Sequence, residues 1–122
     1  MEKKKGEDYM KQVNIDHESA LTYCAGNEKY LQEMFEMYAD TNCLDKIRQA
    51  YVKEDWENYR ILVHSLKSTS RTIGANEMAD AATRLEAAVK AGDIEQVKAL
   101  NDDTMELYEA VIDWCRAKKP VS

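Results

Sequence analysis

Residues 55–93, DWENYRILVHSLKSTSRTIGANEMADAATRLEAAVKAGD, decide the fold. Tyr59, Leu62, Val63, Leu66, Ser70 and Ile73 recur at three- and four-residue steps, the period of one inward face of an α-helix. Asp55 in front offers an N-cap oxygen, and Gly74 behind offers a glycine stop. The pattern restarts at Asn76 with Met78, Ala82, Leu85 and Val89, and stops again at Gly92-Asp93. Two amphipathic helices joined by so short a turn fold back on each other as an antiparallel hairpin.

Outward from this hairpin the same punctuation continues. Asp93 and Gln96 open a last helix in a capping-box-like arrangement, followed by Ile94, Val97, Leu100, Met105, Leu107, Tyr108, Val111, Ile112 and Cys115. On the other side Leu31, Met34, Phe35, Tyr38, then Cys43 or Leu44, Ile47, Ala50 and Tyr51 read as one helix over residues 28–54. Its unsettled place is Thr41-Asn42, where a kink would fall. Asp16 caps a short helix to Cys24, ended near Gly26, and residues 1–13 read as a flexible tail. The expected fold is therefore all-α: an antiparallel up-down four-helix bundle over residues 14–119, with a short additional N-terminal helix as a lid over one end.

Composition agrees and narrows the function. Four glycines and one proline, Pro120, leave little to interrupt helices, and 122 residues suit a single domain. Lys and Arg number 17 against 23 Asp and Glu, a net charge of −6 with no dense basic face, which argues against nucleic acid. No apolar run is long enough to cross a bilayer, and the start lacks a signal-peptide core, so membrane insertion is not expected and the cytoplasm is. Cys24, Cys43 and Cys115 are odd in number and form no Cys-x-x-Cys pair, which favours buried or idle thiols over disulfides or zinc. A metal-binding bundle would need paired Glu-x-x-His motifs, and none occurs, so no metal is expected. The methionines 34, 37, 78 and 105 and the tyrosines 30, 38, 51, 59 and 108 fall at helical steps and read as core or boundary packing. His17, in the first helix without a partner motif, reads as solvated or capping.

His64 stands apart. With Tyr59 at zero on a wheel of 100° per residue, His64 falls at about 140°, and Arg60, Lys67, Ser68 and Arg71 fall between about 80° and 180°. The imidazole therefore lies on the wet face among cations at −4, +3 and +7, in a positive field that favours an incoming anion. A largely neutral imidazole has one ring nitrogen free as a nucleophile, and phosphoryl transfer fits both facts. A hairpin turning near residue 75 pairs residues whose numbers sum to about 150, which brings Glu86 beside His64. A carboxylate on Nδ1–H would fix the tautomer and leave Nε2 to react.

The run from His64 to Ala75, with Leu85-Glu86-Ala87-Ala88 and Gly92-Asp93, resembles the histidine-containing phosphotransfer (HPt) family, and the resemblance extends over most of residues 16–117. His64, Lys67, Gly74 and Leu85-Glu86 match its motif. The resemblance implies that His64 is the phosphoacceptor, that Lys67 steadies the phosphoryl oxygens, that Glu86 orients the ring, and that Gly74 makes the structural turn. Ser68 departs from the family's usual glycine: it either crowds a partner or donates a hydrogen bond to the phosphoryl group.

The implied role is a phosphorelay intermediate in two-component signalling. Its partners would be response-regulator receiver domains and a hybrid sensor histidine kinase, and the chain would be a likewise implied monomeric carrier without cofactor. Magnesium would sit on the receiver, not on this chain. With no Gly-rich phosphate loop, autonomous ATP-dependent kinase activity is not expected. Arg60, Ser68, Arg71, Ala79 and Thr83 are the candidate partner-binding residues, although Arg60 and Arg71 could equally pair with acids such as Glu57. The alternative function is a non-catalytic helical adaptor that binds a receiver or other partner without phosphotransfer.

Overall fold

Side-chain caps start most of the helices. Asp16 accepts the Ser19 N–H at 3.1 Å, Asn27 that of Tyr30 at 3.0 Å, Asp55 that of Asn58 at 3.3 Å and Asp93 that of Gln96 at 3.1 Å. The computed structural model describes residues 13–118. The helices they open are α1 (His17–Tyr23), α2 (Glu28–Asp40), α4 (Trp56–Thr72) and α6 (Ile94–Ala117), while α3 (Leu44–Lys53) and α5 (Asn76–Lys90) begin without a side-chain cap. Ala75, rather than Asn76, occupies the α5 N-cap. The described residues contain no strand. The expected tail, residues 1–13, lies outside them except for Val13, which is buried, and the expected limit at residue 119 also lies outside.

The single helix expected over residues 28–54 is two helices, and the Asn42 side chain explains the break. Its Nδ2 donates to the Ala39 carbonyl at 2.8 Å, and its Oδ1 accepts the Leu44 N–H at 3.1 Å. The Cys43 N–H donates to the Tyr108 hydroxyl at 3.1 Å. Groups that a continuous helix would pair along its axis are thus satisfied by side chains, and the chain can stop and restart.

Packing follows the apolar faces. Helices α4 and α5 make the most extensive contact, then α5 with α6, α2 with α6 and α3 with α4. Arg71 meets Asp80 near the turn and His64 meets Glu86 farther along, so α4 and α5 run in opposite directions. The pairs Phe35–Trp114, Tyr38–Tyr108 and Glu54–Lys98 set the α2–α3 column against α6 in the reverse direction. Two buried polar contacts cross the core. The Tyr38 hydroxyl lies 2.8 Å from that of Ser70, and the Tyr59 hydroxyl donates to Asn101 Oδ1 at 2.7 Å. Such pairing removes the cost of burying a polar group alone. Two of the residues expected in packing depart from it: Tyr30 and Met37 are 47% and 58% exposed. Leu31, Phe35 and Tyr38 take the inward face of α2, which turns those two outward.

Helix α1 is tied to the α4–α5 turn. The Asp16 N–H donates to the Gly74 carbonyl at 2.9 Å, and Gly74 has φ +80°. A Cβ there would overlap the Asp16 carbonyl oxygen, so glycine serves both the left-handed backbone and the close approach.

Candidate functional site

His64 projects from the middle of α4 with 58% of its side chain exposed, while Glu86 on α5 keeps only 4%. The exposed ring reaches down to the buried acid: Nδ1 and Glu86 Oε2 are 2.7 Å apart. Lys67, one turn after His64, donates to Glu86 Oε1 at 2.8 Å, and Lys90 approaches Oε2 at 3.4 Å. Burial pushes the Glu86 carboxyl up. Hydrogen bonds from Lys67 and His64, the Lys67 charge and the Lys90 contact outweigh it and hold the carboxyl at about 2.

That balance sets the proton positions. An ionised carboxylate can only accept, so Nδ1 carries the hydrogen between the two groups. In the neutral ring Nε2 then has a free lone pair. The residues around it form an open cavity of about 520 Å³, lined by Tyr23, His64, Lys67, Ser68, Arg71, Thr72 and Thr83. Lys67 and Arg71 make its rim cationic, a suitable field for an anionic group arriving at Nε2.

The other candidates fall in different places. Ser68, Arg71 and Thr83 line the cavity, although Arg71 also pairs with Asp80 at 3.3 Å. Arg60 pairs with Glu57 at 3.8 Å and is not among the lining residues. Ala79 is fully buried and so cannot be a rim residue. It precedes Thr83 by one turn, and its carbonyl accepts the Thr83 hydroxyl at 2.8 Å, but its side chain has no exposed surface. His17 pairs with Glu28 at 3.1 Å, away from the cavity lining.

Three contributors escape the sequence reading. Lys90 follows Glu86 by four residues, in the order that favours a Glu–Lys pair on a helix, and that spacing was the available signal. Thr72 lies one turn beyond Ser68 on the same face, so the α4 wheel that placed His64 could have found it. Tyr23 reaches the cavity because α1 docks at Gly74, a tertiary contact with no local signature.

Among the described residues no group of three or more His, Cys, Asp or Glu side chains is placed to hold a metal ion, and no helix is long and apolar enough to cross a membrane. Cys24, Cys43 and Cys115 are free thiols, and burial pushes Cys115 up to about 12, which makes it a poor nucleophile.

A family model described as the Hpt domain matches residues 28–114. No curated protein and no solved structure matches the chain.

Proposed function

The chain belongs to the Hpt domain family, whose members are phosphocarrier modules of two-component signalling rather than kinases, and from that premise we propose that it is a phosphorelay intermediate working through His64. A receiver-domain aspartyl phosphate gives its phosphoryl group to His64 Nε2, and a second receiver takes it away. The observation that carries this reading is the pairing of an exposed imidazole with a buried, ionised Glu86 at 2.7 Å.

The Nε2 lone pair forms the N–P bond in line with the breaking acyl O–P bond, whose electron pair leaves on the receiver's aspartate. The ring keeps its Nδ1–H and gains positive character, which the Glu86 carboxylate offsets. Lys67 turns toward the phosphoryl oxygens, and Arg71 adds to the field. Magnesium belongs to the receiver's acidic pocket, and this chain brings no cofactor. Reversal needs no new group, because phosphoryl transfer to a second aspartate retraces the same path.

The scaffold reading that accompanies it is an antiparallel four-helix bundle. In it α2 and α3 count as one interrupted column and α1 closes the end near Gly74. Reversed pairing of α2–α3 against α6 and of α4 against α5 supports that arrangement. The carrier acts as a cytoplasmic monomer, docking receivers over the His64 cavity. The apolar groove of Met34, Met37, Thr69 and Ile73 adjoins that cavity at Thr72 and extends the docking face. A hybrid sensor histidine kinase is the natural upstream donor.

The test is to mix the chain with a radiolabelled, phosphorylated receiver. Acid-labile, base-stable label should move to the unmutated chain and not to His64→Gln. Label that stays on the receiver would leave the adaptor reading in its place.

A further inference from the structure

Glu86 holds three donors on two oxygens: Lys67 on Oε1 at 2.8 Å, and His64 at 2.7 Å with Lys90 at 3.4 Å on Oε2. This places two demands on Lys67. The proposed function assigns its ammonium to the phosphoryl oxygens, yet a buried carboxylate already binds it. A carboxylate with 4% of its side chain exposed cannot be left uncompensated, since a buried charge that loses its partner keeps the cost of its lost hydration. With Lys67 as the only counter-ion, that ammonium would be locked in place.

Lys90 changes the balance. It stands one turn after Glu86 on α5, and its side chain is 59% exposed. The ammonium therefore has freedom to close on Oε2. An exposed Glu–Lys pair of this spacing is worth little, but here the acid is buried, and the second cation matters more than an ordinary surface pair would.

The geometry points to Lys90 as a positioning residue: a reserve counter-ion that keeps Glu86 ionised and bonded to His64 Nδ1 while Lys67 leaves Oε1 for the phosphoryl group on Nε2. Lys90 acts through Glu86 and does not touch the transferred group. Before transfer both ammonium groups face one carboxylate. After transfer one faces the carboxylate and the other the phosphoryl oxygens, so neither anion is stranded. This inference rests on the proposed function, and its failure can be told apart from failure of that reading.

Phosphoramidate is the probe, because it needs no receiver: Nε2 attacks phosphorus, the P–N bond breaks and ammonia leaves. On the full chain, Lys90→Met and Lys67→Met should each slow phosphorylation of His64 by a similar factor, roughly three- to tenfold, since each deprives the phosphoryl group of its cation. Lys90→Arg should restore most of the rate. Both single variants should keep the ¹⁵N signature of the Nδ1–H tautomer, and the double variant should lose it. Phosphorylation of Lys90→Met at the unmutated rate, or loss of the tautomer signature in that single variant, would overturn the inference alone. Failure of phosphoramidate to label His64 in the unmutated chain would remove the proposed function and this inference together.

Discussion

The backbones of Gly74 and Asp16 touch: the Asp16 N–H donates to the Gly74 carbonyl at 2.9 Å, and the space beside the Gly74 Cα is filled by the Asp16 peptide. One glycine therefore ends α4, turns the chain into α5 and seats α1, which brings Tyr23 to the edge of the His64 cavity. Gly74→Ala adds a left-handed backbone penalty to a backbone clash, and it should cost about 2–4 kcal/mol in urea unfolding. The amides of α1 should also lose protection in hydrogen exchange. A loss below about 0.5 kcal/mol with α1 still protected would show that this approach is not tight in solution.

Glu86 makes the fold sensitive to acid in a defined direction. Its native value of about 2 lies below the ordinary 4.5, so its carboxylate stabilises the fold above pH 4.5. That contribution should fade as pH falls from 4.5 through 2. Urea unfolding against pH should show the decline in the unmutated chain and a flatter profile in Glu86→Gln. Parallel profiles would place the acid sensitivity elsewhere.

Tyr38 and Ser70 share a buried hydroxyl pair 2.8 Å apart. Removing either oxygen strands the other, so Tyr38→Phe and Ser70→Ala should each cost about 1–2 kcal/mol. The double variant should cost less than the sum, because it strands nothing. Strict additivity in the thermodynamic cycle would show that the two hydroxyls do not depend on each other.

Ser68 is exposed beside His64 in the middle of α4. Ser68→Gly should lower stability by roughly 0.5 kcal/mol through helix propensity alone, and it should speed transfer from a phosphorylated receiver by giving the partner closer access. Slower transfer would mean instead that the hydroxyl donates to the phosphoryl group.

Local chemistry is what the sequence makes legible. The inward faces of α4 and α5 follow from the three- and four-residue steps of Tyr59 to Ile73 and Met78 to Val89, and Asp16, Asp55 and Asp93 cap as their positions suggest. The approach of Glu86 to His64 is readable because a tight hairpin pairs residues by simple reflection about its turn. What escapes is set by partners distant in sequence. Asn42 ends α2 with help from Tyr108, which is 65 residues from Cys43 along the chain. Ala79 is a small residue whose wheel position fits either a rim or a core, and packing against neighbouring helices decides it. Met37 and Tyr30 carry apolar side chains at helical steps, yet α2 has one buried face and they are not on it.

In the proposed relay, Nε2 of His64 is the atom that carries the phosphoryl group, because Glu86 holds the other nitrogen. The most direct measurement is ³¹P–¹⁵N correlation on ¹⁵N-histidine-labelled protein after reaction with a phosphorylated receiver. One phosphorus should couple to Nε2 of His64, with the hydrogen retained on Nδ1. Phosphorus coupled to Nδ1, carried by His17, or absent from both rings would contradict it.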